Sequence, residues 1–242
     1  MKNKNELHVS TNLNKVINNL TNLSETIKKG QLIAEKISSL KFDDINKLLQ
    51  NRNNIINTNL SINKTAFLTP HLDIGGSGEA IIYKISKNKL TIIDLDIDRK
   101  IDSKRVEMHR MDARNLKFED NKFLTITSFY TLMYVCCNDI LRIFHECYRV
   151  LQNGGVFKIW DVNIDQIPSG FTNVSLDISC GNKVYHAEYS SNAIQEIRDQ
   201  EFYRTLLEDS GFKDVNINTQ NNCIIIEAYK GTTLDLGYSR LD

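Results

Sequence analysis

Three carboxylates in this sequence sit where short strands are expected to end, in settings that give them chemistry. In His71-Leu-Asp-Ile-Gly-Gly-Ser-Gly-Glu79 the run ends at Asp73 and passes at once into Gly75, Gly76 and Gly78. Glycines at such a turn let the backbone approach a ligand with no Cβ in the way. The spacing is not the G-x-G-x-x-G that seats a pyrophosphate on a helix N-terminus. A carboxylate just ahead of the glycines would repel a pyrophosphate, but it suits a ligand carrying a free ammonium and a sulfonium. In Leu90-Thr-Ile-Ile-Asp94-Leu-Asp96 the next run closes at Asp94, followed by Leu95. An acid at that place can accept both hydroxyls of a ribose. In Glu107-Met-His-Arg-Met-Asp112-Ala113 the third acid can take a hydrogen bond from an adenine amino group, with the Ala113 amide reaching a ring nitrogen. Each stretch alone also reads as a tight turn or a solvated strand end. Three of them at successive strand ends would line one edge of a sheet, where open α/β sheets bind ligands.

The elements that must hold these acids follow from the apolar pattern. From Phe67 onward short apolar strands alternate with helices, which predicts a largely parallel sheet. Strands are expected to end at Asp73, Asp94, Asp112, Ser128 and Asp161. A helix from about Glu79 turns Ile81, Ile82 and Ile85 inward. A second, from about Asp139 to Leu151, buries Ile140, Ile143, Phe144, Cys147 and Val150. Asn153-Gly154-Gly155 reads as the turn that ends it. Residues 171–190 alternate around Cys180-Gly181-Asn182 and predict an inserted β-hairpin. A helix over about Ala193–Ser210 follows, stopped by Gly211, and the strands Val215–Thr219 and Cys223–Tyr229 close the sheet as an antiparallel pair. The expected architecture is therefore a mostly parallel seven-stranded sheet over residues 65–232. Ahead of it, apolar residues at helical spacing (Leu13, Val16, Ile17, Leu20, Leu23, Ile27) predict an N-terminal helical cap over residues 1–64, ending in a polar connection at Asn51–Asn59.

Composition narrows the partners. The chain has 242 residues, 41% hydrophobic and 25% charged, with 30 basic and 30 acidic side chains and hence no net charge. A nucleic-acid binder usually carries a basic surplus, because neutralising phosphates drives its affinity. No apolar run approaches the roughly 20 residues that span a bilayer. The polar start, Met1-Lys-Asn-Lys-Asn-Glu-Leu, lacks the core of a signal peptide, so a cytoplasmic location is expected. The five cysteines (Cys136, Cys137, Cys147, Cys180, Cys223) form no C-x-x-C pair and no metal quartet. They are read as small buried hydrophobes, and no metal is expected.

With these stretches in place, the chain resembles the class I S-adenosylmethionine-dependent methyltransferases, particularly those that modify small molecules. The resemblance runs from about Leu68 to Tyr229. It rests on Leu72–Glu79, Ile92–Asp96, Arg110–Phe118, Thr125–Val135, the helix–turn–strand unit Arg149–Phe157, and Gly211-Phe212 before the final hairpin. It implies a Rossmann-like fold and S-adenosyl-L-methionine as cofactor. By position, Asp73, Gly75, Gly76 and Gly78 would surround the methionine part. Asp94 with Leu95 would hold the ribose, Asp112 with Ala113 the adenine, and Ser128 and Phe129 would lie against the cofactor. The implied reaction is methyl transfer to an oxygen, nitrogen or sulfur atom of a small molecule. The chain departs from the family pattern in three places. The glycine loop is one residue short of D-x-G-x-G-x-G, the Asp96–Val106 connection is too brief for a full helix, and Leu124 replaces an acid.

On the acceptor side the candidates are Tyr130, Tyr134, Trp160, Asp161, Tyr185, His186 and Tyr189, with Asp161 and Tyr130 the candidates for a catalytic role. Asp161 equally fits a capping carboxylate, Trp160 fits the core, and His186 a surface position. Ser128-Phe-Tyr-Thr131 is not the N-P-P-Y or D-P-P-Y stretch of enzymes that methylate amides or exocyclic amines. RNA or protein methylation is therefore the less favoured alternative, beside a non-catalytic binding or scaffold protein that kept only the fold.

Overall fold

The computed structural model describes residues 55–62, 67–97, 101, 103–163, 172–191 and 198–231. The expected helices of the N-terminal cap lie outside the described residues. The central sheet has seven strands: β2 (His71–Ile74), β3 (Leu90–Asp94), β4 (Val106–Arg110), β5 (Phe123–Phe129), β6 (Leu151–Val162), β9 (Lys213–Gln220) and β10 (Cys223–Tyr229). They lie in the order β4-β3-β2-β5-β6-β10-β9. Pairing is parallel from β4 to β6, and β10 alone runs antiparallel to both its neighbours. The strand order reverses between β3 and β5 on either side of β2, the kind of switch point where α/β sheets leave a crevice.

The central strands β2, β5 and β6 are buried on both faces, with apolar residues turned to each side and a few polar ones among them. On β6, Phe157 and Ile159 turn to one face while Trp160 and Val162 turn to the other. The first face is covered by α2 (Cys137–Val150), which buries Ile140, Ile143, Phe144, Cys147 and Val150 at helical spacing, as its pattern predicts. Beside it lies α3 (Gln200–Asp209), which buries Tyr203 and Leu207. That helix starts later than the expected Ala193. Asp199 is extended and its side chain accepts a hydrogen bond from the Phe202 amide, so the cap fixes the first turn at Gln200.

The second face is covered differently. The five-residue helix α1 (Ile81–Ile85) buries Ile81, Ile82 and Ile85. Beside it lies a second sheet of three strands, β1 (Ile55–Ser61), β7 (Thr172–Cys180) and β8 (Lys183–Ser191), in the order β1-β7-β8. The inserted hairpin is β7 and β8, closed by Gly181-Asn182 with Gly181 at φ +60°. Leu176, Ile178 and Ala187 pack with Trp160, Val162 and Cys223 of the central sheet. The stretch read as a polar connection, Asn51–Asn59, instead contributes most of β1, which pairs parallel to β7. Its asparagines Asn57 and Asn59 face solvent, while Thr58 and Leu60 turn inward, so the alternation was hidden by polar residues on the open side.

Two further expectations are corrected. Asn153-Gly154-Gly155 does not form a free turn but lies within β6. The Gly154 amide donates to Lys230 O at 2.6 Å and the Lys230 amide to Gly155 O at 3.0 Å, which extends the pairing with the end of β10. Of the cysteines, Cys147, Cys180 and Cys223 are buried, but Cys136 is exposed and Cys137 half-buried. Among the described residues no helix is long and apolar enough to cross a membrane.

Phe157 is fully buried, with the Phe144 and Phe212 rings at centroid distances of 5.7 and 5.9 Å. Replacing it with alanine (Phe157→Ala) should lower the unfolding free energy by about 3–5 kcal/mol. Urea titration of the variant should show a lower midpoint with an unchanged slope.

Candidate cofactor site

The ends of β2, β3, β4 and β5 open onto a cavity of about 750 Å³. It is lined by Asp73, Gly75, Gly76, Ser77 and Gly78, by Asp94 and Leu95, by Asp112 and Ala113, and by Phe129, Tyr130 and Tyr134. Three separate strand ends thus bring their acids to one space. Of the residues assigned to the cofactor from sequence, Ser128 alone stays off the wall. It is buried in β5 and its hydroxyl has no hydrogen-bond partner.

The alternation of β2 decides how Asp73 is held. Leu72 and Ile74 turn to the core under α2, so His71 and Asp73 turn to the other face. There Asp73 is 1% exposed. Thr127, on the neighbouring strand, donates to Asp73 Oδ1 at 2.7 Å and lies 2.9 Å from His71 Nε2. While Asp73 is ionised the threonine gives it its one proton and accepts from His71 Nε2–H, which is then the protonated nitrogen of a neutral imidazole. Burial agrees with that form, pushing the His71 pKa down to about 3, and Phe67 stacks on the ring at 5.1 Å. Burial also pushes the Asp73 carboxyl up to about 7, against the Thr127 hydrogen bond and with a contribution from the Asp94 charge. The pocket floor is a carboxyl group that a cationic ligand would readily ionise.

The glycine loop is shaped by what lies under it. A Cβ on Gly76 would come within 2.1 Å of Asp73 Oδ2, so only glycine lets the loop cross the carboxyl. Gly75 has φ +72°, and a Cβ there would meet the Thr131 side chain at 2.3 Å. Beside Gly78 there is open space, with nothing within 4 Å of a built Cβ. Packing demands the first two glycines, whereas the third borders the cavity.

Asp94 and Asp112 are both engaged within the chain. Asp94 Oδ2 accepts from the Ser77 amide at 3.1 Å and lies 2.6 Å from the Ser77 hydroxyl, and Oδ1 accepts from the Asp96 amide at 3.2 Å. Asp112 is bonded by the Arg114 guanidinium through both oxygens, which holds its pKa below the usual carboxylate range. Arg114 reaches on to Asp139 at the start of α2, at 2.7 Å. Arg114 and Asp139 line the cavity and were not singled out from sequence. The adjacency of Arg114 to Asp112 was visible there, but the partner on α2 was not.

At the other end the cavity is aromatic. Tyr130, at φ +50°, is stacked on Tyr189 of the hairpin at 5.1 Å, and Phe129 lies 6.2 Å from the same ring. Tyr134 is 56% exposed, and the Ser190 backbone amide bonds its hydroxyl. Glu79 and Glu188 complete this wall and were also missed; Glu79 was read only as the start of the helix after the glycines, and nothing in the neighbours of Glu188 marks it. Tyr185 and His186 lie elsewhere: the Tyr185 hydroxyl donates to Lys84 O at 3.0 Å, and His186 pairs with Asp177 on the exposed side of the hairpin. Trp160 packs in the core with Phe67 and Phe129.

Asp161 does not face the cavity. It is fully buried, and its oxygens accept from the Met133 amide at 3.1 Å and the Val162 amide at 2.8 Å. Arg198, also buried, donates to Leu132 O at 2.7 Å and to Val135 O. The two side chains hold the 132–135 segment of the cavity wall from beneath. Burial raises the Asp161 pKa to about 7 and drives the Tyr130 hydroxyl, beside the Cys223 thiol, far above the usual phenol range. Among the described residues no group of histidine, cysteine and carboxylate side chains is placed to hold a metal ion.

Residues 72–159 match the family model of the methyltransferase domain. No curated protein sequence matches the chain significantly. Similar solved structures include an S-adenosylmethionine-dependent methyltransferase from Mesorhizobium loti, 15% identical over 66% of this chain and 90% of that one, with a TM-score of 0.45. Another, from Aquifex aeolicus, is 16% identical over 66% of this chain and 81% of that one, with a TM-score of 0.49. Human N-acetylserotonin methyltransferase, in complex with S-adenosylmethionine, is 15% identical over 67% of this chain and 47% of that one, with a TM-score of 0.48. The family match gives residues 72–159 a methyltransferase domain, and S-adenosylmethionine is the cofactor it indicates.

Asp73 lets the cost of the floor be measured. Its folded pKa is raised, to about 7, above the unfolded value of about 3.9, so the folded chain holds a proton that the unfolded chain releases. The penalty is absent well below pH 4, grows as pH rises and is complete above pH 7. At about 1.4 kcal/mol per pKa unit its ceiling is on the order of 4 kcal/mol. Asp73→Asn should therefore gain thermal stability relative to the parent between pH 5 and pH 8, measured by melting curves without ligand.

Proposed function

We propose that the cavity binds S-adenosylmethionine with Asp73 and the glycine loop at its methionine end, Asp94 and Leu95 at its ribose, and Asp112 and Ala113 at its adenine. The observation that carries this reading is the convergence of three strand-end acids and a glycine loop on one cavity of about 750 Å³. The residues fit the group. Asp73 is a buried carboxyl with no cation against it among the described residues, the side of Gly78 is open, and the acids are spaced along one sheet edge.

The reaction is methyl transfer to an oxygen, nitrogen or sulfur atom of a small molecule. When bound, the cofactor supplies a methyl group on a sulfonium, a leaving group that needs no covalent help. The chain's part is to hold the acceptor in line with that methyl and to exclude water. Phe129, Tyr130, Tyr134 and Tyr189 form the wall for this task. A volume within the roughly 300–1,000 Å³ of small-ligand pockets, walled on one side by the β7–β8 hairpin, favours a small acceptor over a polymer. Tyr130 and Asp161 act by shape and support: the first holds its proton at neutral pH, and the second is committed to backbone amides.

Calorimetry with S-adenosylhomocysteine tests the first step. The parent chain should bind it, and Asp94→Ala should weaken binding by roughly tenfold to a hundredfold, the worth of hydrogen bonds to a charged group. No binding at millimolar ligand by a folded protein would refute the reading. Radiolabelled methyl transfer into a fractionated metabolite extract tests the second step, and binding without transfer to any acceptor would favour a scaffold protein instead.

A further inference from the structure

Ser77 occupies the acid that the ribose needs. Asp94 Oδ2 has two lone-pair directions, and both point to Ser77: the amide at 3.1 Å and the hydroxyl at 2.6 Å. Oδ1 accepts from the Asp96 amide at 3.2 Å and, among the described residues, keeps one direction open. A ribose diol that binds both oxygens of this carboxylate therefore meets one free site and one filled site.

The same hydroxyl has a second acceptor within reach, Asp96 O at 2.8 Å. A serine hydroxyl has a single proton, so at any moment it serves one of the two. The second acceptor is held in place from outside: Arg110, at the end of β4, donates to Leu95 O at 2.9 Å and pairs with the Asp96 carboxylate. Turning the Ser77 hydroxyl from Asp94 to Asp96 O frees a direction on Oδ2 without moving the loop, because the Ser77 amide stays bonded.

We propose that Ser77 is a positioning residue whose hydroxyl holds Asp94 in the ligand-free chain and turns to the Asp96 carbonyl when a ribose diol binds. The proposal rests on the reading of Asp94 as the ribose acceptor. It makes the diol's contribution smaller than an open carboxylate would give, because binding exchanges a hydrogen bond to a charged oxygen for one to a neutral carbonyl. It also assigns a use to the serine in the shortened loop, at a place where the family pattern runs through glycines and variable residues.

The test measures coupling between Ser77 and the diol. Affinities of the parent and of Ser77→Ala are measured by calorimetry for S-adenosylhomocysteine and for its 2′,3′-dideoxy analogue. Ser77→Ala should bind S-adenosylhomocysteine roughly fivefold more tightly than the parent, the difference between a charged and a neutral acceptor. It should bind the dideoxy analogue as the parent does. Ser77→Cys, nearly the same size with a weak donor, should fall between, and it serves if the alanine variant fails to fold. A purely structural serine would change both ligands by the same factor, and an inert one would change neither; either result overturns the proposal. If Asp94→Asn leaves the preference for the diol untouched, the reading of Asp94 fails first, which separates the two failures.

Discussion

The burial of Asp73 is the constraint that the site depends on. Asp73 is 1% exposed at the end of a central parallel strand, and among the described residues its side-chain partner is the Thr127 hydroxyl rather than a cation. Each neighbouring choice follows from that. While Asp73 is ionised, Thr127 must find its own donor, which fixes the protonated nitrogen of His71, and His71 is kept neutral by burial under Phe67. The loop above must cross the carboxyl at van der Waals distance, which makes Gly76 necessary. Such a floor destabilises the empty fold and rewards a positively charged ligand, the usual exchange of stability for function at binding sites.

The polar floor also explains the unequal treatment of the two sheet faces. Under α2 and α3 the core is a large apolar cluster whose helical spacing made its residues readable in advance, with Ser128 and Asp161 the buried polar members of β5 and β6 on that face. The opposite face carries His71, Asp73, Thr125 and Thr127 among its buried residues. A long amphipathic helix would have to leave these unmatched. Instead a short helix and a three-stranded sheet cover that side, with β8 bringing Tyr189 to the cavity.

Much of this was legible in the sequence, because the signals were local. Asp73 and Asp94 each follow an apolar run, Asp112 follows the third expected strand, and the burial of Ile140 to Val150 follows a 3.6-residue period. What could not be read depended on partners distant in the chain. The alternation of β1 is concealed by asparagines, and its mate β7 lies more than a hundred residues on. Gly154 and Gly155 look like a turn until Lys230 takes their hydrogen bonds. Glu188 carries no local mark, Glu79 and Asp139 read only as helix starts, and the fold alone brings them to the cavity.

Asp161 shows how position alone can mislead. It ends a strand at the ligand edge, as Asp94 does, and from sequence the two have equal claims to chemistry. The alternation of β6 sends its side chain inward, where two backbone amides and the nearby Arg198 stabilise it. Arg198 in turn grips Leu132 and Val135 by their carbonyls. An acid and a base buried together would add little as an ion pair, since desolvation offsets most of the attraction. Here each satisfies backbone groups of a segment with no regular partner strand, and a wall that must keep its shape beside a ligand has reason to be held this way. The carboxylates at this edge therefore divide by side-chain direction: those turned to the cavity are available to a ligand, and the one turned inward sets the rigidity of the wall the ligand meets.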